Sequence, residues 1–579
     1  MGTMASSTHQ FEVLDLIRAG LQDLGAARTL LDELRADGID DDRLCLLMKT
    51  LEQTCEPDIA LRNLVDIIKA LQSQGRDFHQ VITDDAGLVR LVTVLGVSDE
   101  MGKLMRFRPE LVMAAASDSC ESHLYNHAQR RAHVLEAVGA DPVDSRTPKA
   151  SKPLAEAATA LRQTYRKQLA AIMAQDTTAE DPIEIQPRIS QELSDLADAA
   201  LEGALAIARN EVDGSEHVRF AIIGMGKLGA RELNYVSDVD LIYVVEPADA
   251  DTNGMTLNRV GTKMATTLQR VCQSVIMGVA EPTLWQIDGG LRPEGKDGPL
   301  VRKLESHEAY YEQWAENWEF QALLKARPVA GDPDLGQAYM DMTRPFVWAA
   351  SKRDNFVYDC QQMRKRVEDL IPAPLKDREI KLGRGGLRDV EFTVQMLQLV
   401  HGRADETLRT SSTLESLQRL AEGGYVSRRQ AKKLSWDYRF EHADKPRSSP
   451  GTTASNASWN TASKCGRSNA PTCSRTSAKP VSAASNANAT PTTTNSTTTS
   501  NCADSPGPST CTPRNSSTNT TKPDVKCATC TWTSTTGPCC PSTPASTTNK
   551  WNCPPTPCRN ASPPSDSPTP TPPCATSPH

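Results

Sequence analysis

Near residue 445 the composition of this chain changes abruptly, and only the part before that point is suited to building a hydrophobic core. From residue 446 to residue 579 there is no Leu, Ile, Met, Phe, Tyr or Glu, although 22 of the chain's 38 prolines and 11 of its 16 cysteines lie there. Such a segment buries too little apolar surface to offset the entropy that ordering would cost. We therefore expect a folded body over residues 1–445 and a disordered, low-complexity tail over residues 446–579.

The body is acidic and begins with no recognisable targeting segment. It holds 54 basic and 69 acidic residues, a net charge of −15, which argues against nonspecific nucleic-acid binding as its main role. The first residues are polar, and no run of about 18 apolar residues occurs, so we expect a soluble, cytoplasmic protein without a membrane partner. Its five cysteines are scattered without metal-ligand spacing, which suits a reducing compartment.

Most of the body is predicted to be helical. Longer helical patterns cover residues 161–173 and 189–208, and from residue 305 onward the chain is again mostly helical, including residues 387–400. Earlier in the chain, apolar residues recur at helical spacing in two series: Val13, Leu14, Ile17, Leu21 and Leu24, then Leu61, Leu64, Ile67, Ile68 and Leu71.

The middle of the body has a different pattern of residues, which predicts a small sheet. Residues 218–223 and 239–245 are short runs rich in β-branched residues, and residues 284–288 are a third strand candidate. A helical pattern over residues 257–271 separates the second run from the third. The fold class is therefore α+β, with a small mixed sheet and its helices flanked by helical bundles.

The sequence between the first two predicted strands contains a pair of carboxylates. Residues 224–242 read GMGKLGARELNYVSDVDLI, so Asp238 and Asp240 lie two residues apart at the start of a strand and share one face of it. Carboxylates held together repel each other unless a cation or a proton neutralises them. Mg²⁺ is the natural occupant, and Asp288 at the end of the third strand is well placed to be a further ligand.

A glycine turn precedes this pair and predicts a phosphate site. Gly224 and Gly226 follow the first strand, and their lack of side chains lets phosphates approach the backbone closely. Transfer at phosphorus needs positioning and charge neutralisation rather than covalent help from the protein. Arg292 and Lys296, a few residues beyond Asp288, are candidate phosphate partners.

Two other interpretations of the same residues must be weighed. An isolated Asp-x-Asp is usually a solvated strand end or a helix cap, although a glycine turn and a third Asp are not expected there. Gly224, Gly226 and Gly229 also match the dinucleotide-binding fingerprint, with Glu246 about 20 residues further on. That motif requires an apolar helix beginning in the loop, whereas only a short polar stretch precedes the second strand.

At these residues the chain resembles the bifunctional glutamine synthetase adenylyltransferase/adenylyl-removing enzymes. The match includes the segment 224–242, LRPEGKDG at 291–298, WEFQALLKAR at 318–327 and KLGRGGLRDVEF at 381–392. It extends from about residue 20 to residue 440 and is to the N-terminal, adenylyl-removing half of that family. The family's second nucleotidyltransferase domain, which performs adenylylation with ATP, has no counterpart here.

The resemblance implies roles for individual residues. Gly224, Gly226 and Ser237 would shape the phosphate-facing turn. Mg²⁺ would be bound by Asp238, Asp240 and Asp288, which would also be the catalytic carboxylates. Because the reaction needs cationic groups around phosphate and nucleotide, we choose Arg292, Lys296 and Arg327 as the clamp. In the last motif, Arg388, Asp389 and Glu391 would either border the site or form a structural ion network.

The resemblance also implies an activity, partners and a domain order. Inorganic phosphate would remove AMP from an adenylylated tyrosine of glutamine synthetase and release ADP, under the control of the nitrogen-signalling PII protein. The predicted domains are an N-terminal helical region (1–140), a nucleotidyltransferase domain (150–335), a helical bundle (336–440) and the tail (446–579). Because the family pattern stops near residue 440, we interpret the tail as an out-of-frame continuation of a truncated chain. A dinucleotide-binding regulatory module and an inactive fragment remain the alternative functions.

Overall fold

The structure, a computed structural model, describes residues 11–117, 126–235, 237–250, 252–376 and 379–443. The predicted tail lies outside these residues. Within them, helices predominate and one small sheet carries strands of both directions. None of the described helices is long and apolar enough to cross a membrane.

The first part of the chain folds into short helices around a core of their own. Leu61, Leu64 and Ile67 are all buried there, as the spacing predicted, but Val13, Leu14 and Ile17 are exposed because the first helix ends at Arg18 and buries Leu16 instead. The helices are α1 (Val13–Arg18), α2 (Leu24–Ala36), α3 (Asp41–Glu52), α4 (Pro57–Ser73), α5 (Phe78–Val81), α6 (Asp85–Leu95), α7 (Asp99–Met105) and α8 (Pro109–Ala116).

Three further helices lead to the sheet: α9 (His127–Val138), α10 (Leu154–Thr178) and α11 (Pro182–Glu211). The last two extend beyond the predicted ranges. The apolar face predicted for α11 is buried along its whole length, from Leu193 to Leu205. This face of α11 packs against the sheet, in the same hydrophobic core cluster as the strand residues Phe220 and Tyr243.

The sheet has five strands in the order β3-β2-β1-β5, and β4 also pairs with β2. Strands β1 and β2 are antiparallel, and β3 and β4 run parallel to β2. The elements in chain order are β1 (Val218–Gly224), α12 (Gly226–Gly229), β2 (Val239–Pro247), α13 (Gly254–Gln273), β3 (Ile287–Asp288), β4 (Val301–Arg302), α14 (Leu304–Gln313), α15 (Asn317–Leu323) and β5 (Arg327–Gly331).

The predicted first and second strands are confirmed, whereas the third is only two residues long. Two strands were not predicted. β4 is too short to show any periodicity, and β5 begins inside a helical-looking motif and contains Pro328, a residue that disfavours strands. β5 nevertheless pairs with β1 in an antiparallel manner, with an irregularity in register at Ile222 and Ile223.

The described chain ends in five helices. They are α16 (Pro333–Ala349), α17 (Phe356–Asp369), α18 (Leu387–His401), α19 (Thr413–Glu422) and α20 (Arg428–Ala443). Helix α18 matches the prediction for residues 387–400. The described body is therefore an α+β structure in which the small mixed sheet lies among helices.

Candidate active site

Asp240 and Asp288 are brought side by side by the sheet. β2 and β3 are parallel neighbours, and their register pairs Val239 with Ile287 and Asp240 with Asp288. Asp238 immediately precedes β2 and is exposed. The backbone N–H of Gly290 donates to Oδ1 of Asp288 at 2.7 Å, which fixes that carboxylate at the strand end.

The electrostatic environment of this group disfavours negative charge. Burial raises the pKa of Asp240 to about 7, and repulsion from Asp288 acts in the same direction. Although Asp238 is exposed, the protein removes part of its solvent shell, and this partial desolvation raises its pKa, with an added contribution from Asp288. The positive charge of Lys381 opposes both shifts. A site with this surplus of carboxylate charge is suited to a cation.

The glycine turn lies directly against Asp240. Gly226 has a φ of +54°, and a Cβ at that position would be only 2.6 Å from Oδ2 of Asp240. The Met225 N–H donates to the Asp240 carbonyl at 2.9 Å. Gly224 is needed for packing, because its Cβ would approach Cγ1 of Val329 on β5 to 2.6 Å. Ser237 is half-buried just before Asp238.

The guanidinium groups of Arg292 and Arg327, the predicted phosphate partners, form hydrogen bonds with other groups of the protein. The Arg327 guanidinium forms two hydrogen bonds with the carboxylate of Asp198, at 2.7 and 3.1 Å, and reaches the carbonyls of Leu228 and Gly229. A guanidinium has five N–H donors in a fixed fork, so nearby carbonyls readily occupy them.

Arg292 donates in the same manner to backbone carbonyls of residues 289, 296, 298 and 299, at distances from 2.7 to 3.2 Å. It thereby shapes the loop that follows β3. Lys296 of the same loop is exposed.

Two cationic residues near the carboxylates had not been assigned to the phosphate clamp. Lys381 and Arg388 both act electrostatically on Asp240. They lie in the motif at 381–392, about 140 residues further along the chain, so spacing alone could not place them beside β2. In the sequence, the only indication of a role for Lys381 and Arg388 was the resemblance of this motif to the family.

The acidic residues of that motif are held in ion pairs. Asp389 pairs with Arg364 and accepts a hydrogen bond from the Gly385 N–H at 2.6 Å. Glu391 is buried between Lys325, at 3.3 Å, and Arg388, at 3.1 Å. They therefore stabilise the start of α18, as one of the two sequence interpretations predicted, while Arg388 also acts electrostatically on Asp240.

The donor atoms beside Gly226 fit a hard divalent cation. Asp238, Asp240 and Asp288 offer only carboxylate oxygens, the donors that Mg²⁺ prefers. Among the described residues, however, the compact group with metal-ligand spacing is a different one. Ligand atoms of His127, Asp195 and Asp198 all lie within 4.8 Å of one another.

That second group could hold a metal ion, but its carboxylates already have cationic partners. Asp198 pairs with Arg327, as described above, and Asp195 lies 3.0 Å from Arg231. No spacing in the sequence indicates this group, because His127 comes from α9 and the two aspartates from α11.

The topology disagrees with a dinucleotide-binding fold. That fold requires a parallel strand after the glycine turn and a long helix between the two strands. Here β1 and β2 are antiparallel neighbours, and the helix between them, α12, has four residues.

Comparison with known proteins agrees with this arrangement. The family described as glutamate-ammonia ligase adenylyltransferase matches residues 88–342, which include all five strands. The family described as GlnD PII-uridylyltransferase matches residues 361–443, which include α18, α19 and α20.

Curated relatives are similar over most of the body. A bifunctional glutamine synthetase adenylyltransferase/adenylyl-removing enzyme from Bifidobacterium longum (strain DJO10A) is 76% identical over 438 residues, 76% of this chain and 41% of that protein. Proteins of the same name are 44% identical in Cutibacterium acnes and 43% identical in Streptomyces avermitilis, over 74% and 73% of this chain and 43% and 40% of theirs.

The chain thus spans well under half the length of the relatives it matches. Within the matched residues the similarity is extensive, and the motifs around Asp240, Asp288 and Arg388 fall inside it. Over these residues the chain belongs to the family of bifunctional glutamine synthetase adenylyltransferase/adenylyl-removing enzymes.

Proposed function

We propose that this chain is a metal-dependent nucleotidyltransferase that removes AMP from an adenylylated tyrosine of glutamine synthetase by phosphorolysis. The observation that carries the proposal is the pairing of Asp240 with Asp288 beside the Gly226 turn. The names of the relatives include both the addition and the removal of the adenylyl group. Removal is favoured because the motifs resemble the adenylyl-removing half of the family.

The proposed reaction exchanges one bond at phosphorus for another. An oxygen of inorganic phosphate forms a bond to the phosphorus of the AMP group, and the bond from that phosphorus to the tyrosine oxygen breaks. ADP leaves, and the tyrosine oxygen takes a proton from the solvent. Phosphate is already anionic, so the site requires cationic groups more than a strong general base.

Asp238, Asp240 and Asp288 would hold the metal, which we propose to be Mg²⁺. When bound, Mg²⁺ neutralises the negative charge that gathers on the phosphoryl oxygens. The pairing of Asp240 with Asp288 is the feature that supports a cation here, and burial, with added repulsion from Asp288, raises the pKa of Asp240 to about 7.

Other residues of the chain would position the substrates. Gly226 lets the turn pack directly against the Asp240 carboxylate, because a side chain at this position would collide with Oδ2 of Asp240. Lys381 and Arg388 both act electrostatically on Asp240 as positive charges. We assign the clamp to these two residues in place of Arg292 and Arg327, whose guanidinium groups are engaged by the protein. Lys296 is exposed and stays a candidate.

The partners that follow are adenylylated glutamine synthetase, phosphate and adenine nucleotides. Control by a PII protein is part of the same proposal. It is supported by the match of residues 361–443 to the family described as GlnD PII-uridylyltransferase.

The test is phosphate-dependent release of ADP from adenylylated glutamine synthetase, using the full 579-residue chain and Mg²⁺. The Asp238→Asn, Asp240→Asn double variant should lower the rate roughly a thousandfold, because metal catalysis contributes several kcal/mol. Asp341→Asn, an exposed carboxylate on α16, is the matched control and should keep the parent rate. A double variant as active as Asp341→Asn would refute the assigned site, and a folded parent without release would refute the activity.

A further inference from the structure

A largely apolar pocket opens next to the Gly226 turn and is lined by three helices. Trp318 and Ala322 come from α15, Met363 and Val367 from α17, and Phe392 from α18. The empty space among these atoms is about 520 Å³, a volume that includes solvent at the pocket mouth.

The helical periodicity explains why these side chains meet. Trp318 and Ala322 are four residues apart, as are Met363 and Val367, so each pair occupies one face of its helix. Arg388 and Phe392 have the same spacing on α18, and the Arg388 guanidinium lies 5.8 Å from the centre of the Phe392 ring. The pocket therefore has an aromatic and apolar interior with a cation at its edge.

The pocket also contains a buried amide with an unmet hydrogen bond. Gln321 is 3% exposed and lines the pocket together with Gln395. Nε2 of Gln321 donates to Oε1 of Gln395 at 2.8 Å. The Oε1 atom of Gln321, in contrast, has no hydrogen-bond partner among the described residues. A ligand that donates a hydrogen bond to this oxygen would satisfy it.

We infer that this pocket binds the adenine ring of the AMP group, with the base against Trp318 and Phe392 and its exocyclic amine donating to Gln321. The inference rests on the proposed function, whose substrate it specifies further. Gly226 borders the same pocket and also touches Asp240, so a nucleotide can place its phosphate at the carboxylates and its base among the helices.

The chemistry favours adenine over the other purines. Flat aromatic side chains bind any base by stacking. A glutamine amide pairs well with adenine, which offers an amine donor beside a ring-nitrogen acceptor. Hypoxanthine and guanine carry an oxygen where adenine has its amine, and that oxygen would face the unpaired oxygen of Gln321.

The first experiment measures the binding of AMP and IMP to the full chain by titration calorimetry. AMP should bind about tenfold more tightly than IMP, the effect of one hydrogen bond. Trp318→Ala should lower the affinity for AMP roughly tenfold to a hundredfold through the loss of stacking. Trp314→Ala, an exposed residue that does not line the pocket, is the control and should bind AMP like the parent.

A second variant separates base recognition from folding. Gln321→Met keeps the length of the side chain but removes its hydrogen-bonding groups. It should bind IMP as the parent does and lose the preference for AMP. If the loss of Trp318 affects binding rather than folding, Trp318→Ala and Trp314→Ala should show the same melting curve by far-UV circular dichroism.

The binding measurement also separates this inference from the proposed function. The Asp238→Asn, Asp240→Asn variant should retain the preference for AMP, since the base pocket does not contain those residues. ADP release combined with unchanged AMP affinity in Trp318→Ala would overturn the pocket and leave the activity intact. Selective AMP binding that depends on Trp318, without any ADP release, would support the pocket and reject the activity. Equal binding of AMP and IMP by the parent would overturn the inference.

Discussion

Glu319 shows how a single buried carboxyl group makes this fold sensitive to pH. It lies beside Trp318 on α15 and accepts hydrogen bonds from the Glu316 N–H at 2.9 Å and the Tyr310 hydroxyl at 3.1 Å. Burial nevertheless dominates and raises the pKa of Glu319 from 4.5 to about 7. The folded chain therefore holds a proton that the unfolded chain releases at lower pH.

We expect Glu319→Gln to stabilise the chain at pH 8 but not at pH 4.5. Between pH 4.5 and about 7 the folded state binds more protons than the unfolded state, so the stability of the parent falls as the pH rises through this window. The neutral amide does not titrate and keeps an oxygen for both donors. The gain above pH 7 is at most about 3 kcal/mol.

The measurement is the melting temperature of both proteins at pH 4.5 and pH 8. Glu312→Gln, an exposed residue on α14, serves as the control and should change neither value. An advantage of Glu319→Gln that is equal at both pH values would contradict the assignment, because a packing effect does not depend on titration.

At the residue scale, the sequence could identify groups whose geometry is local. Asp240 lies in β2, Asp238 immediately precedes that strand and Gly226 lies in the turn before them, so short spacing in the sequence was sufficient to predict these three residues as one group. The sequence could not show which carbonyls surround Arg292, because the loop around it closes only in the folded chain. The sequence also could not show that Lys381, which comes from a distant part of the chain, lies near β2.

At the scale of elements, Glu232 connects the glycine turn to the last two described helices. It follows α12, and its carboxylate accepts hydrogen bonds from the Thr413 N–H, the Tyr438 hydroxyl and the Lys325 ammonium group. Lys325 also reaches Glu391 on α18. Although burial opposes it, the charges of Lys325 and Arg388 hold the pKa of Glu391 well below its usual value.

We expect Glu232→Gln to destabilise the chain by roughly 3 kcal/mol, because removing one charge from a buried network leaves its partners imperfectly paired. Thermal melting followed by circular dichroism would measure this loss. Glu211→Gln, at the exposed end of α11, is the control and should melt like the parent. If both variants melt together, Glu232 does not hold the helices on the turn.

Helices and strands could be predicted where the sequence pattern was long. They could not be predicted where tertiary contacts determine whether the element forms. Helix α11 has enough turns for its apolar face to be recognised, and β1 and β2 are continuous apolar runs. β3 and β4 have two residues each and exist because β2 offers them a hydrogen-bonding edge. The first helix exposes its predicted face because Gly20, with a φ of +81°, ends the helical path soon after Arg18.

At the scale of the molecule, α10 belongs to two cores. Ala170 and Met173 pack with the N-terminal helices, whereas Leu161 and Tyr165 pack with the sheet and α11. The domain limits proposed from the sequence, 1–140 and 150–335, therefore assign to the second domain a helix that completes the core of the first. A shared helix favours joint unfolding of both parts.

Arg162 strengthens this connection from the middle of α10. Its buried guanidinium donates to the carbonyls of Val271 and Ser274, each at 2.7 Å, and of Glu281 at 2.9 Å. Glu281 in turn pairs with Arg108 at the start of α8. One side chain thus holds the segment that connects α13 to β3, and that segment contacts the N-terminal helices.

We expect Arg162→Met to lower the free energy of unfolding by about 3 kcal/mol or more, since three carbonyls lose their donor in a buried place. Because α10 is common to both cores, the loss should shift one joint transition. Tryptophan fluorescence, which includes Trp285 beside Tyr165, and far-UV circular dichroism should report the same midpoint in the parent and in the variant. Arg270→Met, exposed on α13, should leave that midpoint unchanged. Two separate midpoints in the parent would mean that α10 does not couple the cores.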